Sequence, residues 1–231
     1  MAGRRSKWSR TESGTMHESV ASGALGETVR GAVPSWLVPV FRGITRLGNL
    51  GVVLVAFAVD FWFVDRDRGA HAIGVVLAGT ALAVALKHAF AAPRPPAAVG
   101  AVRAGGPGFP SGHAMGAAIA YGVLAVDLDA GTPRARYAAA TTVVALVALS
   151  RVVLGVHFVR DVLAGVAFGL AFLVVAFGLT GRDPGLAFAL AVATGLLAVG
   201  VSDVGRDAVA VLGLAVGATA AWEASRGGSL P

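Results

Sequence analysis

The chain has 231 residues, of which 56% are hydrophobic and only 14% are charged. A soluble domain carries about 25% charged residues, so this composition excludes a soluble single domain and indicates an integral membrane protein. The net charge is +6, but the arginines stand singly between apolar runs, which is typical of headgroup anchors and topology signals and excludes a nucleic-acid partner. The absence of cysteine excludes disulfides, thiolate nucleophiles and cysteine-bound zinc.

The first 31 residues differ in composition from the rest of the chain. Ser, Gly, Thr, Glu and Arg dominate residues 1–31, and such a segment cannot bury enough apolar surface to fold alone. No apolar core follows its basic residues, so it does not read as a signal peptide. We predict a flexible polar tail over 1–31 and a single membrane-embedded domain over 32–231.

The remaining sequence predicts a polytopic, all-α transmembrane bundle. Residues 34–47 mix aromatic and arginine side chains around Pro39 and are expected to lie at the membrane interface. Apolar runs follow at 48–64, 70–90, 112–128, 137–154, 158–179, 185–201 and 207–222. A crossing helix needs about 20 apolar residues, so the short last two runs leave six spans possible, and we predict seven.

Small residues and isolated polar residues on these runs predict helix packing and structural contacts. The pairs Gly112/Gly116, Gly165/Gly169 and Gly213/Gly217 predict close helix packing. Asp60 is expected to be structural and to pair with a loop arginine such as Arg66. We expect His71 to lie at the interface and His88 to be structural.

Polar exceptions cluster at the ends of the second to fifth runs. Because spans alternate in direction, these ends emerge on the same side of the membrane, and ionisable groups at such positions are usually paired or functional. They are Lys87 and Arg94 at the end of the second run, Ser111, Gly112 and His113 at the start of the third, Ser150 and Arg151 at the end of the fourth, and His157 and Asp161 at the start of the fifth.

These residue types predict phosphoryl transfer. Lys87, Arg94 and Arg151 would repel a divalent cation and suit a phosphate, whose oxygens match the donors of arginine, so no metal site is expected. Backbone N–H groups at the start of the third span would add to the anion site. His157 and Asp161, four residues apart, share one helical face, so the carboxylate can orient the imidazole for attack. His113 can protonate a leaving oxygen.

The same residues resemble the type 2 phosphatidic acid phosphatases, a family that shares its core with the vanadium haloperoxidases. The family pattern is K-x6-R-P, P-S-G-H and S-R-x5-H-x3-D. This chain has KHAFAAPRP at 87–95, PSGH at 110–113 and SRVVLGVHFVRD at 150–161, in that order and with every fixed position matched. The motif core therefore covers residues 87–161.

The resemblance implies the fold, the activity and the role of each matched residue. His157 would be the nucleophile, Asp161 its partner and His113 the acid, with phosphate held by Lys87, Arg94, Ser111, Gly112 and Arg151. Membrane members of the family hydrolyse lipid phosphates or diphosphates without a metal. We therefore expect a multi-pass protein of the cell membrane, with no cofactor, that contacts membrane lipids and acts on a lipid phosphate in the bilayer.

Other functions stay compatible with parts of the pattern. A lipid phosphotransferase would use the same phosphohistidine and an alcohol in place of water. Vanadate-dependent halide oxidation would use the same anion site, although the many spans argue against it. A non-enzymatic transporter or lipid-binding protein would need a degenerate site, and no matched position is degenerate. Outside the motifs, arginines near span ends number six on each side, so the positive-inside rule leaves the orientation of the site open.

Overall fold

A computed structural model describes residues 28–29, 31–95 and 105–227, and every regular element within these ranges is a helix. Short 3-10 turns at Ser35–Leu37 and Arg46–Gly48 flank the first α-helix. The α-helices in chain order are α1 (Val38–Thr45), α2 (Leu50–Phe63), α3 (Arg66–Phe90), α4 (Gly112–Asp127), α5 (Pro133–Val153), α6 (Val159–Thr180), α7 (Pro184–Val201) and α8 (Arg206–Gly227). The predicted polar tail lies almost entirely outside the described residues, so its flexibility stays a prediction.

All seven predicted apolar runs form helices, α2 to α8, but fewer than seven of these helices qualify as membrane spans. In the described residues, α3, α5, α6, α7 and α8 are each long and apolar enough to cross a membrane. A sixth span results if Ser35–Gly48 and Leu50–Phe63, bent by 52°, count as one. The prediction of seven was therefore wrong by this criterion, because α4 has only 16 residues, whereas the two runs predicted to be short are full-length helices.

Helix α3 is the centre of the bundle. It is buried along most of its length, and its apolar side chains join those of α2, α4, α6 and α7 in one core. Glycine allows a neighbouring helix to approach closely, since a Cβ on Gly74 would lie 2.8 Å from the Cβ of Ala187 on α7. The first half of α3 is thus held against α7, and Lys87 lies in its last turn.

The predicted glycine pairs behave differently from one another. A Cβ on Gly165 would lie 2.6 Å from the carbonyl oxygen of Ser111, and one on Gly169 would lie 2.8 Å from that of Met115. This pair brings α6 onto α4, as predicted. Gly213 and Gly217 have no atom within 4 Å of a Cβ position, so the prediction of close packing was wrong for that pair.

Near the start of α3, two predictions are met only in part or not at all: Asp60 of α2 pairs with an arginine of residues 65–69, but not with Arg66, and His71 is buried instead of interfacial. Asp60 pairs with Arg68, whose Nε lies 2.9 Å from Oδ2, whereas Arg66 donates to the carbonyl oxygen of Ser225 at 3.1 Å. His71 is only 1% exposed, and its Nε2 lies 2.9 Å from the hydroxyl oxygen of Thr180. The first turn of α3 packs on α2, where a Cβ on Gly69 would meet the backbone of Phe61, and this brings Arg68 to Asp60, whereas His71 is buried against Thr180 and Phe177 of α6.

Candidate active site

The chain reverses direction sharply between α5 and α6, and this turn places His157. Gly155 adopts φ +68°, a conformation open to glycine at little cost, and the N–H of Val156 donates to the carbonyl oxygen of Arg151 at 3.2 Å. Helix α6 begins only at Val159. His157 therefore lies just before the helix rather than on its face, which differs from the predicted placement.

Asp161 is held in the first turn of α6 with its carboxylate directed at His157. The N–H of Phe158 donates to Oδ2 of Asp161 at 2.9 Å, and the same oxygen lies 3.5 Å from Nδ1 of His157. The N–H of Asp161 donates to the carbonyl oxygen of Phe158 at 3.1 Å. Asp161 has no exposed surface and His157 is 3% exposed, so the pair is shielded from bulk water.

Arg94 lies on the opposite side of the His157 ring from Asp161. Its Nη1 is 3.2 Å from Nε2 of His157 and donates to the carbonyl oxygen of Val156 at 3.0 Å. A guanidinium can only donate, so Nε2 accepts and carries the lone pair. In a neutral imidazole the proton is then on Nδ1, facing Asp161. The two neighbours together select one tautomer.

The surroundings of His157 favour its neutral form. Burial is the main cause that lowers the pKa of His157 to about 4; the interaction with Asp161 opposes this shift, and the positive charges of Arg94, Arg151 and Lys87 contribute to it. Burial also lowers the pKa of Arg94, which nevertheless stays charged because arginine titrates far above neutral pH. At pH 7 an unprotonated Nε2 thus lies beside fixed positive charge.

The remaining cations reach the same region from different elements. Lys87 donates through Nζ to the carbonyl oxygen of Pro107 at 3.2 Å, and its side chain crosses Gly112, where a Cβ would lie 3.3 Å from Cε. Arg151 is 5% exposed and donates through Nη1 to the hydroxyl of Thr45 at 2.7 Å. Thr45, at the end of α1, is a contact that the sequence did not predict.

The start of α4 differs in detail from the predicted anion site. The N–H of Ser111 donates to the carbonyl oxygen of Asp161 at 2.9 Å, and its Oγ accepts from the N–H of Ala114 at 3.4 Å. The N–H of Ser111 thus connects α4 to α6, and its Oγ caps the N-terminus of α4. The helical geometry leaves the N–H groups of Gly112 and His113 without an acceptor inside the helix. These two amides are the ones that can meet an anion.

The predicted site residues therefore come together. Arg94 and Asp161 contact His157 directly, and Ser111 donates to the carbonyl oxygen of Asp161. Lys87 lies against Gly112, and His113 and Arg151 lie near enough to His157 to interact with its charge. A model of the PAP2 superfamily matches residues 68–183, half of the chain, and this range contains all of them. The chain belongs to the PAP2 superfamily.

Individual relatives of this PAP2 protein agree with that assignment. It is 36% identical over 154 residues to phosphatidylglycerophosphatase B of Bacillus subtilis (strain 168), covering 62% of this chain and 75% of the relative. The crystal structure of the transmembrane PAP2 type phosphatidylglycerolphosphate phosphatase from Bacillus subtilis is similar with a TM-score of 0.65 and 31% identity, covering 72% of this chain and 87% of the other.

A more distant neighbour supports the fold alone. The crystal structure of Aquifex aeolicus LpxE has a TM-score of 0.55 and 23% identity and covers 67% of this chain and 93% of the other. Taken with the closer relatives, this establishes a helical, multi-pass membrane phosphatase of the PAP2 superfamily, a phosphoric monoester hydrolase.

A cavity of about 550 Å³ adjoins the site of this PAP2 protein. Lys87, Gly112 and His113 line one end, and the cavity continues between α2, α3 and α4 past Val76, Gly79, Ala83 and other small or apolar residues. Asp207 of α8 also lines it. The sequence offered no sign of this contribution, because α8 lies far from the motifs along the chain.

Proposed function

We propose that this PAP2 phosphatase hydrolyses a lipid phosphate or diphosphate through a phosphohistidine formed at His157, without a metal. The observation that carries the proposal is the environment of the imidazole: Nε2 carries the lone pair 3.2 Å from Arg94, and Nδ1 lies 3.5 Å from Asp161. A nucleophile needs a free lone pair and a group that orients it, and both are supplied here.

The first chemical step forms the bond from Nε2 to phosphorus. Lys87, Arg94 and Arg151, together with the N–H groups of Gly112 and His113, would hold the phosphate oxygens and stabilise the charge that spreads over them in the transition state. Arg94 would exchange its contact with Nε2 for a phosphate oxygen, which frees the lone pair. The P–O bond to the lipid breaks as His113 delivers a proton to the leaving oxygen, and the anionic substrate favours the protonated form of that histidine.

The second step returns the enzyme to its starting state. A water attacks phosphorus, His113 takes its proton, the P–N bond breaks, and inorganic phosphate leaves with Nε2 again unprotonated. Asp161 would stabilise the positive charge on the imidazole in both transition states without itself becoming protonated. Ser111 also belongs to the set of residues that hold the phosphate, because its Oγ accepts from the N–H of Ala114 and its hydroxyl hydrogen is still able to donate to a phosphate oxygen.

The adjoining cavity supports a lipid as the substrate. Its apolar lining beside Lys87 and His113 suits the part of a lipid next to the phosphate, and the name of the Bacillus subtilis relative makes phosphatidylglycerol phosphate the first candidate. We further propose that residues 32–231 form one membrane-embedded domain with a motif core at 87–161, and that the protein is located in the cell membrane.

Phosphate release in detergent tests this function. The substrates are phosphatidate, phosphatidylglycerol phosphate and a polyprenyl diphosphate, each with and without excess EDTA. We expect activity that persists in EDTA and is inhibited by vanadate. The substitution His157→Ala should abolish both this activity and the acid-labile phosphoenzyme. His88→Ala is the matched control, since His88 is half-buried next to Lys87 but outside the motifs.

Two outcomes would contradict the proposal. Loss of activity in EDTA that Mg²⁺ restores would exclude the metal-independent mechanism, and normal turnover in His157→Ala would exclude the nucleophile. Adding an acceptor alcohol and analysing the products distinguishes hydrolysis from phosphotransfer, because only a transferase forms a new phosphate ester.

A further inference from the structure

The two carboxylate oxygens of Asp161 have different surroundings. Oδ2 accepts from the N–H of Phe158 and faces His157, whereas Oδ1 accepts no hydrogen bond within the described part of the chain. The cation nearest to Oδ1 is Arg160, whose Nε lies 3.6 Å away and is likewise buried without a hydrogen-bond partner in those residues. An ionised carboxylate without exposed surface is costly unless it is paired.

Arg160 is itself held in place by the residue that binds Oδ2. Its guanidinium carbon lies 5.3 Å from the ring centroid of Phe158, within the range of a cation–π interaction. Phe158 thus contacts the carboxylate through its N–H and the guanidinium through its ring. Residues 158–161 form a closed local unit at the start of α6, with the outer part of Arg160 reaching solvent.

We propose that Arg160 is a positioning residue of this phosphatase: its guanidinium compensates the buried charge of Asp161 and keeps Oδ2 directed at Nδ1 of His157. The inference rests on the function proposed above. Arg160 occupies one of the three variable positions between the histidine and the aspartate of the third motif, so the motif alone assigns it no part.

The charge balance of the site explains why such a residue is needed. A neutral imidazole does not compensate the charge of Asp161, and the pKa of His157 lies at about 4, so at pH 7 compensation must come from elsewhere. Two of the other groups that face His157 also attract Asp161 from a longer range, but all of them are engaged by the phosphate or by its leaving group once substrate is bound. They are Lys87 from α3, Arg94 from the loop after α3, His113 from α4 and Arg151 from α5.

Removing the charge of Arg160 should therefore change the pKa of His157 in a defined direction. The uncompensated carboxylate attracts a proton onto the imidazole, so the pKa of His157 rises and a larger fraction is protonated at a given acidic pH. Neighbouring charges shift pKa values by about one unit or more. We expect Arg160→Gln to move the protonation of His157 upward by about one pH unit and to lower kcat about tenfold, with KM nearly unchanged.

The experiment compares Arg160→Gln with Arg160→Lys, using Arg134→Gln as the matched control. Arg134 is an exposed arginine in the first turn of α5, at the opposite end of the bundle. NMR of the isotope-labelled imidazole of His157 over a pH series gives the titration independently of turnover, and it needs no reagent to reach the buried ring. Arg160→Lys should restore most of kcat and of the original titration, and Arg134→Gln should match the parent in both.

A double-mutant cycle with Asp161→Asn provides the decisive comparison. If Arg160 acts through the carboxylate, Arg160→Gln lowers kcat about tenfold in the parent and less than twofold in Asp161→Asn. An equal loss in both backgrounds would overturn the proposal and assign Arg160 to phosphate binding. An unchanged titration of His157 in Arg160→Gln would overturn it as well. An inactive parent would instead refute the proposed function, so the two failures are distinguishable.

Discussion

The contact between α4 and α6 sets the position of the anion site relative to the nucleophile. The substitution Gly165→Ala perturbs this contact directly. A Cβ at Gly165 would lie 2.6 Å from the carbonyl oxygen of Ser111 and 3.3 Å from the Cβ of Ala114. The N–H of Ser111 donates to the carbonyl oxygen of Asp161 at 2.9 Å. An added methyl group therefore pushes on the residue that connects the start of α4 to the start of α6.

The size of the effect follows from these distances. Ordinary van der Waals contact begins at 3.4 Å, so the backbone of Ser111 must move by about 0.8 Å to accept a Cβ that would otherwise lie at 2.6 Å. Overpacking of this kind costs about 1–3 kcal/mol, offset in part by the roughly 1 kcal/mol higher helix propensity of alanine. A displacement near 1 Å between reacting groups lowers rates about 100-fold, so we expect kcat to fall 10- to 100-fold.

Phosphate release and thermal unfolding in detergent measure the two effects. Gly178→Ala is the matched control, because Gly178 lies on the same helix and no atom lies within 4 Å of its Cβ position. This control should keep the activity of the parent and its melting temperature should be equal or higher. If Gly165→Ala kept both the kcat and the melting temperature of the parent, the close approach of α4 to α6 could not be what positions the site.

Three further predictions concern the histidines and the ion pair at the other end of the bundle. His113→Ala should lower the rate at which a lipid alkoxide is released by about 10²–10⁴-fold. The same variant should retain a single-turnover burst of nitrophenol from nitrophenyl phosphate, because this leaving group needs no acid. Equal losses on both substrates in a rapid-mixing assay would rule out His113 as the acid. Because burial and nearby cations lower the pKa of His157 to about 4, the NMR signals of its imidazole should stay those of the neutral form as the pH falls through 6.5 and change only towards pH 4, and a midpoint at 6.5 would contradict the described environment. Asp60→Asn should lower the free energy of unfolding by about 1–3 kcal/mol, since it leaves a mostly buried guanidinium without its carboxylate, whereas Arg66→Gln should have a smaller effect in the same denaturation assay.

The sequence by itself determined the class of protein, the helices and the site residues that come together. Apolar runs define helices because hydropathy and periodicity are local properties of the chain, and each predicted run from 48–64 to 207–222 matches a helix of the structure. The alternation of spans places the ends that carry Lys87, His113, Arg151 and His157 on one side. The motif spacing then names the superfamily, which the comparison over residues 68–183 confirms.

Only the tertiary structure decided which atoms face each other. The tautomer of His157 depends on Arg94 and Asp161 approaching from opposite sides of its ring, which spacing along the chain does not define. The placement of His157 before α6 depends on the turn at Gly155.

Partner choice and packing were likewise decided by how the helices are rotated about their axes and against each other. Asp60 pairs with Arg68 and not Arg66 because of the way the first turn of α3 packs on α2. Gly165 lies between helices whereas Gly213, in an equivalent sequence pattern, contacts none. A pair of small residues or an isolated charge in the sequence shows that a close contact or an ion pair is possible at that position. Which helix or side chain it faces depends on long-range packing, and packing is a property of the whole bundle.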